Sequence, residues 1–271
     1  MKLKILLLIL TVTIISACGG EEEHPKSHLK FVNSFKLEIP EPSGLAYDYS
    51  DSTLWMVSDE NSTVYKTDLE GNVISSFEVD GIDLEGITTM QKSYLAVVCE
   101  RDREVLYLKR DGALYKRKKL SIEGDNENKG LEGIGYSNET HQLYIVNEKK
   151  PRVLAIYNDA LNEIRVDTVN FAKDLSGVCF DDKYGMLWFV SDESRTVYLF
   201  NKSLVMIGAF PLDIKQMEGI AFDHNNNLLY LVSDLNEELY VYKLEPLPNM
   251  DKEPPAAAAE EEGESEKSSE H

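Results

Sequence analysis

Cysteine, histidine and positive charge are all scarce in this chain of 271 residues, and each scarcity closes a class of function. The three cysteines, Cys18, Cys99 and Cys179, are far apart, so no disulfide framework is written here. Cys99 and Cys179 fall in apolar segments and read as small buried hydrophobes. Of the five histidines, His24 and His28 lie near the N-terminus, His271 is the last residue, and His141 and His224 sit in turns. There is no His-Glu-x-x-His and no Gly-x-Ser-x-Gly, which argues against a zinc peptidase and a Ser-His-Asp hydrolase. Lys and Arg number 28 against 48 Asp and Glu, a formal net charge of −20. Such a chain repels phosphate backbones, so no nucleic-acid partner is expected. Its field instead favours divalent metals and cationic ligands. No segment sustains a period of 3.6 residues, so helix is minimal.

What is present at the ends reads as targeting. Lys2 and Lys4 precede an apolar run over residues 5–15, about a dozen residues where a bilayer span needs roughly 20. The run closes in Ile15-Ser16-Ala17-Cys18-Gly19, which resembles a bacterial lipobox. Residues 1–17 are thus expected to be a lipoprotein signal peptide, with Cys18 lipidated and anchoring the body to a membrane. Gly19-Gly20-Glu21-Glu22-Glu23 opens an acidic tether over 18–29. It resembles the surface-export signal of Bacteroidetes lipoproteins, or is a plain solvated spacer. The expected location is the bacterial cell envelope, lipid-anchored at the outer membrane, with the periplasmic or surface-exposed side left open. Residues 246–271, rich in Pro, Ala, Glu and Ser, read as a disordered acidic tail.

Between these ends the chain repeats itself. Ser43-Gly44-Leu45, Glu85-Gly86-Ile87, Glu132-Gly133-Ile134, Ser176-Gly177-Val178 and Glu218-Gly219-Ile220 are spaced by 42, 47, 44 and 42 residues. A period of about 40–50 residues signals a propeller or a solenoid. Each repeat reads as four short strands, A to D, rich in β-branched and aromatic residues. The first runs over 44–48, 54–58, 63–66 and 73–79. The fifth repeat stops after its third strand, near Tyr242-Lys243, while an unattached strand over 31–39 precedes the first. Placing that strand beside the fifth repeat closes a ring and hides a sheet edge. The expected fold is all-β: a five-bladed β-propeller over 30–245, monomeric, its last blade completed by the N-terminal strand.

Strand parity then sorts the loops. The segments leading into each A strand and the B–C loops share one face of the disc, and the A–B and C–D loops share the other. The residue before each A-strand Gly falls at the mouth of the central channel: Ser43, Glu85, Glu132, Ser176, Glu218. The B–C loops add Asp59, Glu100, Glu148, Asp192 and Asp234, and the segment 125–128 adds further oxygen donors. So many carboxylates around one channel must protonate, pair or hold a cation. Oxygen donors on flexible loops favour Ca²⁺, with Glu85, Glu132, Glu218, Glu148 and Asp192 as candidate ligands. Alternatively the glutamates accept hydrogen bonds from loop amides, and the B–C pairs are simply turn formers. Asp59, Glu100, Arg101, Arg152, Arg195 and Asp234 form a candidate ligand-binding surround of mixed charge, although such cations also serve as solvated partners of nearby acids. Asp223, Asn225 and Asn227 imitate the start of an EF-hand loop, but Leu228 stands where Gly is needed, so the segment reads as a hairpin.

The segments Asp83-Leu84-Glu85-Gly86-Ile87, Gly130-Leu131-Glu132-Gly133-Ile134 and Gln216-Met217-Glu218-Gly219-Ile220, with Ser-Asp-Glu after strand B, resemble the SdiA-regulated propeller family over about 30–245. The resemblance implies a five-bladed, calcium-binding, often membrane-tethered propeller, more distantly similar to NHL-repeat, phytase-like and gluconolactonase-like propellers. It supports Glu85, Glu132 and Glu218 as metal ligands, while Ser43 and Ser176 depart from the pattern. No reaction comes with it. Two functions follow as expectations. One is a calcium-binding module or scaffold for an unidentified small-molecule or protein ligand. The other is a calcium-dependent hydrolase of phosphoesters or lactones, with Glu148 or Asp192 as general base.

Overall fold

The computed structural model describes residues 26–91, 93–122 and 130–249, and all statements below concern these. Lipidation at Cys18, the signal, the acidic run, the segment 125–128 and the tail beyond residue 249 lie outside them.

The described chain holds twenty strands and no helix. A first strand, β1 (His28–Lys36), is followed by β2 (Pro42–Asp48), β3 (Thr53–Ser58), β4 (Thr63–Thr67) and β5 (Val73–Glu78), which form blade 1. Blade 2 is β6 (Leu84–Met90), β7 (Tyr94–Cys99), β8 (Glu104–Lys109) and β9 (Leu114–Lys119). Blade 3 is β10 (Leu131–Ser137), β11 (Gln142–Asn147), β12 (Val153–Asn158) and β13 (Glu163–Thr168). Blade 4 is β14 (Gly177–Asp181), β15 (Met186–Ser191), β16 (Thr196–Asn201) and β17 (Met206–Pro211). Blade 5 is β18 (Met217–Asp223), β19 (Leu228–Ser233), β20 (Glu238–Glu245) and, from the other end of the chain, β1.

The ring is closed as expected, with β1 antiparallel to β20. The closing strand starts three residues earlier than its apolar pattern suggested. His28 and Leu29, expected in the tether, pair with Glu245 and Leu244. The long partner strand dictates this, since it offers ladder positions that local hydrophobicity does not reveal. Leu37 and Ile39, expected inside the strand, follow it and are buried in the core.

Every hydrophobic core lies between two blades. Leu37, Leu45, Met56, Tyr230 and Val232 join blade 5 to blade 1, and Trp188, Phe210, Ile220 and Leu231 join blade 4 to blade 5. The other three junctions are filled in the same way. A blade therefore has no core of its own, which is why the repeats stand only as a ring.

At the axis the five glycines form a collar. A Cβ on Gly44 would lie 2.5 Å from the carbonyl oxygen of Glu85 in blade 2, and one on Gly133 would lie 2.7 Å from the backbone nitrogen of Val178 in blade 4. Gly219 meets Leu45 in the same manner, which completes the circle. The glycines are there because the inner strands touch backbone to backbone. The collar leaves a channel of only about 10 Å³, lined in part by Ser43, Glu85, Glu132 and Ser176.

Register also fixes which way the ends point. β20 leaves the B–C loop face at Glu238 and ends at Glu245 on the opposite face, where His28 begins β1. Both ends of the propeller domain therefore leave the disc on the face away from the carboxylates.

Candidate functional site

Glu85, Glu132 and Glu218 are each the second residue of an inner strand, and each sits in a β-bulge. Pairing with the neighbouring strand skips between Leu84 and Ile87, between Leu131 and Gly133, and between Met217 and Ile220. A bulge re-aims a side chain that regular alternation would send into a blade interface. In blade 4 the pairing begins at Gly177 itself, with Ser176 donating its N–H to the Val190 carbonyl.

A second repeat stands two residues earlier: Glu41, Asp83, Gly130, Asp174 and Gln216. Glu41, Asp83 and Gln216 have φ of 40°, 58° and 47°, the left-handed conformation that lets the chain turn into the bulge. Their carbonyls hold the B–C loops: the N–H of Glu100 donates to Asp83 at 2.9 Å and that of Glu148 to Gly130 at 3.0 Å. Asp59 and Asp234 donate likewise to Glu41 and Gln216. In blades 1, 2, 3 and 5 the B–C acid is thus clamped beside the bulge of its own blade, while in blade 4 the Asp192 N–H donates to Ser176 Oγ at 3.2 Å. The sequence carried this signal at a fixed offset, and reading only the residue next to Gly overlooked it.

The outcome is a mouth crowded with carboxylates. Burial raises Glu85, Glu132 and Glu218 well above the usual carboxylate range, and the neighbouring charges raise them further. Glu85 feels Glu218 and Asp59, Glu132 feels Glu85 and Glu100, and Glu218 feels Asp234 and Asp192. Asp59 is pushed up to about 7 by burial, then by Glu41. Burial also raises Glu100 and Asp234. Oxygens of Asp59, Asp83 and Glu85 lie within 4.8 Å of one another, close enough to share one ion. The buried Oδ1 atoms of Asp59 and Asp234 have no hydrogen-bond partner among the described residues. Buried carboxylate oxygens without donors fit a hard cation, so the donor set suits Ca²⁺.

The other expected residues divide. Glu148 and Glu193 both bind Lys149 Nζ, each at 2.6 Å, and Asp192 accepts the Gln216 N–H at 2.5 Å. Glu100 accepts the Gly130 N–H at 2.8 Å. Gln216 Nε2 donates to Asp234 Oδ2 at 3.2 Å. With Glu132, Asp174 and Glu218, several of these acids line a cleft of about 250 Å³. Arg101 pairs with Asp83 at 2.7 Å, at the rim of the three-oxygen cluster. Arg152 is turned away to the carbonyls of Val169 and Lys173, at 3.0 and 2.6 Å, and so braces a loop. Arg195 makes an exposed pair with Asp213 at 3.3 Å, beside a shallow cleft that also includes Asp192.

The five-residue segments around these glutamates carry a family signature that extends past the site. The SdiA-regulated family matches over residues 35–243, from the end of the closing strand to the last strand of blade 5. The chain belongs to the SdiA-regulated family. Its fold is shared with solved propellers at low identity. Myxococcus xanthus glutaminyl cyclase aligns at a TM-score of 0.64 and 12% identity, covering 81% of this chain and 97% of that one. The Cps50 (Swd1) β-propeller domain of Myceliophteria thermophila aligns at 0.51 and 9%, covering 79% and 99%. A luciferin-regenerating enzyme aligns at 0.50 and 15%, covering 78% and 94%. At these identities the likeness is one of architecture alone.

Proposed function

We propose that this member of the SdiA-regulated family is a lipid-anchored, calcium-binding propeller of the cell envelope, and that its carboxylate mouth is a binding module. The observation that carries the reading is the cluster of Asp59, Asp83 and Glu85, three carboxylates on two adjacent blades with oxygens within 4.8 Å. These three would hold the ion, with Glu132 and Glu218 among the neighbouring carboxylates. Bound there, Ca²⁺ would offset part of the mouth's negative charge and could itself take an anionic group of a ligand. Arg101 at the rim is placed to contact the same group. With a lipid on Cys18, the tether would reach the disc on the far face, so the mouth would point away from the membrane.

The hydrolase alternative finds less support. The two acids expected as general base are engaged, Glu148 by Lys149 and Asp192 by the Gln216 N–H. A general base needs an oxygen within reach of the proton it removes.

Thermal unfolding at neutral pH in calcium and in chelator tests the reading, alongside elemental analysis of protein purified without chelator. Calcium at about 100 times its dissociation constant should add about 2.7 kcal/mol. That corresponds to a rise of roughly 5–10 °C for a domain of this size. Asp83→Asn combined with Glu85→Gln should abolish the rise. Protein that carries no metal and shows no shift would overturn the proposal.

A further inference from the structure

Below the glycine collar the channel opens again, on the face away from the carboxylates, into a cavity of about 80 Å³ that continues into a cleft of about 380 Å³. Its walls are aromatic: Tyr47 from blade 1, Tyr136 from blade 3, Phe180 from blade 4 and Phe222 from blade 5. Tyr49 reaches across it from blade 1, donating its hydroxyl to the Phe222 carbonyl at 2.5 Å and stacking on His224 at 4.1 Å. Blade 2 carries Thr89 where the other blades carry a ring, and the residue before it, Thr88, lines the cavity as well. Thr88 is only 8% exposed, lines the cavity, and its hydroxyl has no partner among the described residues. At the same level the other blades carry Ala46, Gly135, Cys179 and Ala221, so this hydroxyl is specific to one wall.

The charges around this mouth are unbalanced. Asp48 is held by Arg110 and Asp181 by His224 Nδ1, whereas Asp182 and Asp223 are held by neutral donors only. Asp182 accepts from Ser137 Oγ at 2.5 Å and the Asn138 N–H at 2.9 Å, and Asp223 from the Asn225 N–H at 2.9 Å and Asn226 Nδ2 at 2.7 Å. Lys183, the nearest lysine in sequence, is turned onto the His224 carbonyl. Ring faces and uncompensated carboxylates together attract cations and repel anions. Against a share of about 30 Å³ per water, the cavity has room for a head group of a few heavy atoms, and the cleft for what is attached to it.

We propose that this second mouth binds the ammonium group of a small organic amine, among the rings, with Thr88 Oγ1 accepting an N–H and Asp182 supplying the counter-charge. The site is separate from the carboxylate mouth and independent of its ion.

Calorimetric titration of the folded protein with ethanolammonium and propylammonium tests this, with 1-butanol as a neutral mimic. The amines should saturate one site at or below about 10 mM, with the alcohol at least about tenfold weaker. Thr88→Val should weaken the amines about tenfold while the melting temperature holds. Thr88→Ser, which keeps the hydroxyl, should retain them, and Glu132→Gln at the other mouth should leave amine affinity unchanged. Sedimentation with phosphatidylethanolamine vesicles, competed by ethanolammonium, would assign the amine to a lipid headgroup; amine binding without vesicle capture would assign a soluble one. Absence of saturation, equal binding of the alcohol, or unchanged affinity in a folded Thr88→Val protein would overturn the proposal.

Discussion

The two mouths of the channel are made by the same five inner strands, yet one gathers carboxylates and the other gathers rings. The difference lies in backbone geometry as much as in composition. At the first mouth the strands begin in bulges, and the left-handed residues before them hold the B–C loops inward, so short acidic side chains converge. At the second a cavity opens below the collar, and Tyr49 reaches across it to the Phe222 carbonyl. A repeat can thus supply two chemically different sites, because its two ends meet different neighbours.

Breaking the collar that separates the mouths should have the largest effect. A side chain at Gly133 would strike the backbone of blade 4, so Gly133→Val should cost about 3 kcal/mol or more, or prevent folding, as read by chemical denaturation. Removing the pair under the aromatic mouth comes next. His224→Leu leaves the fully buried Asp181 without its imidazole and should cost about 3 kcal/mol. The same variant should leave calcium affinity unchanged, which distinguishes the mouths. A loss of calcium affinity there would mean that the two ends are coupled through the collar.

Much of this was legible in the sequence. The spacing of the five glycines and the missing fourth strand of the last repeat announced a closed ring of five blades. Parity put His141 and His224 on the face away from Glu85, Glu132 and Glu218, and both lie in A–B turns. Asp223 and its asparagines form a hairpin turn, with Asp223 Oδ1 accepting the Asn225 N–H. Less legible were the features that need a partner in space. Asp83 stands at a fixed offset before Gly86, but its nearness to Asp59 depends on how blade 1 meets blade 2. The role of Arg152 as a loop brace depends on where the Val169 and Lys173 carbonyls lie. The wall rings of the second mouth, Tyr47, Tyr136, Phe180 and Phe222, do share one position of the repeat, three residues after the collar glycine, but aromatics there read equally well as blade core, and only the closed ring brings the four together.

The central claim is that the carboxylate mouth is built to hold a cation, and its pH dependence tests this most directly. Asp59, ordinarily near 3.8, sits at about 7, and Glu85, Glu132 and Glu218 are also raised. Between about pH 4 and pH 7 the folded metal-free protein therefore binds more protons at this mouth than the unfolded chain, and these groups contribute less stability as pH rises. Calcium, which binds the ionised carboxylates, acts in the opposite sense. The melting temperature measured across that window, in chelator and in calcium, should show a calcium increment near zero at pH 4 that grows steadily to pH 7. An increment that is absent, or equal at both ends of the window, would contradict the account.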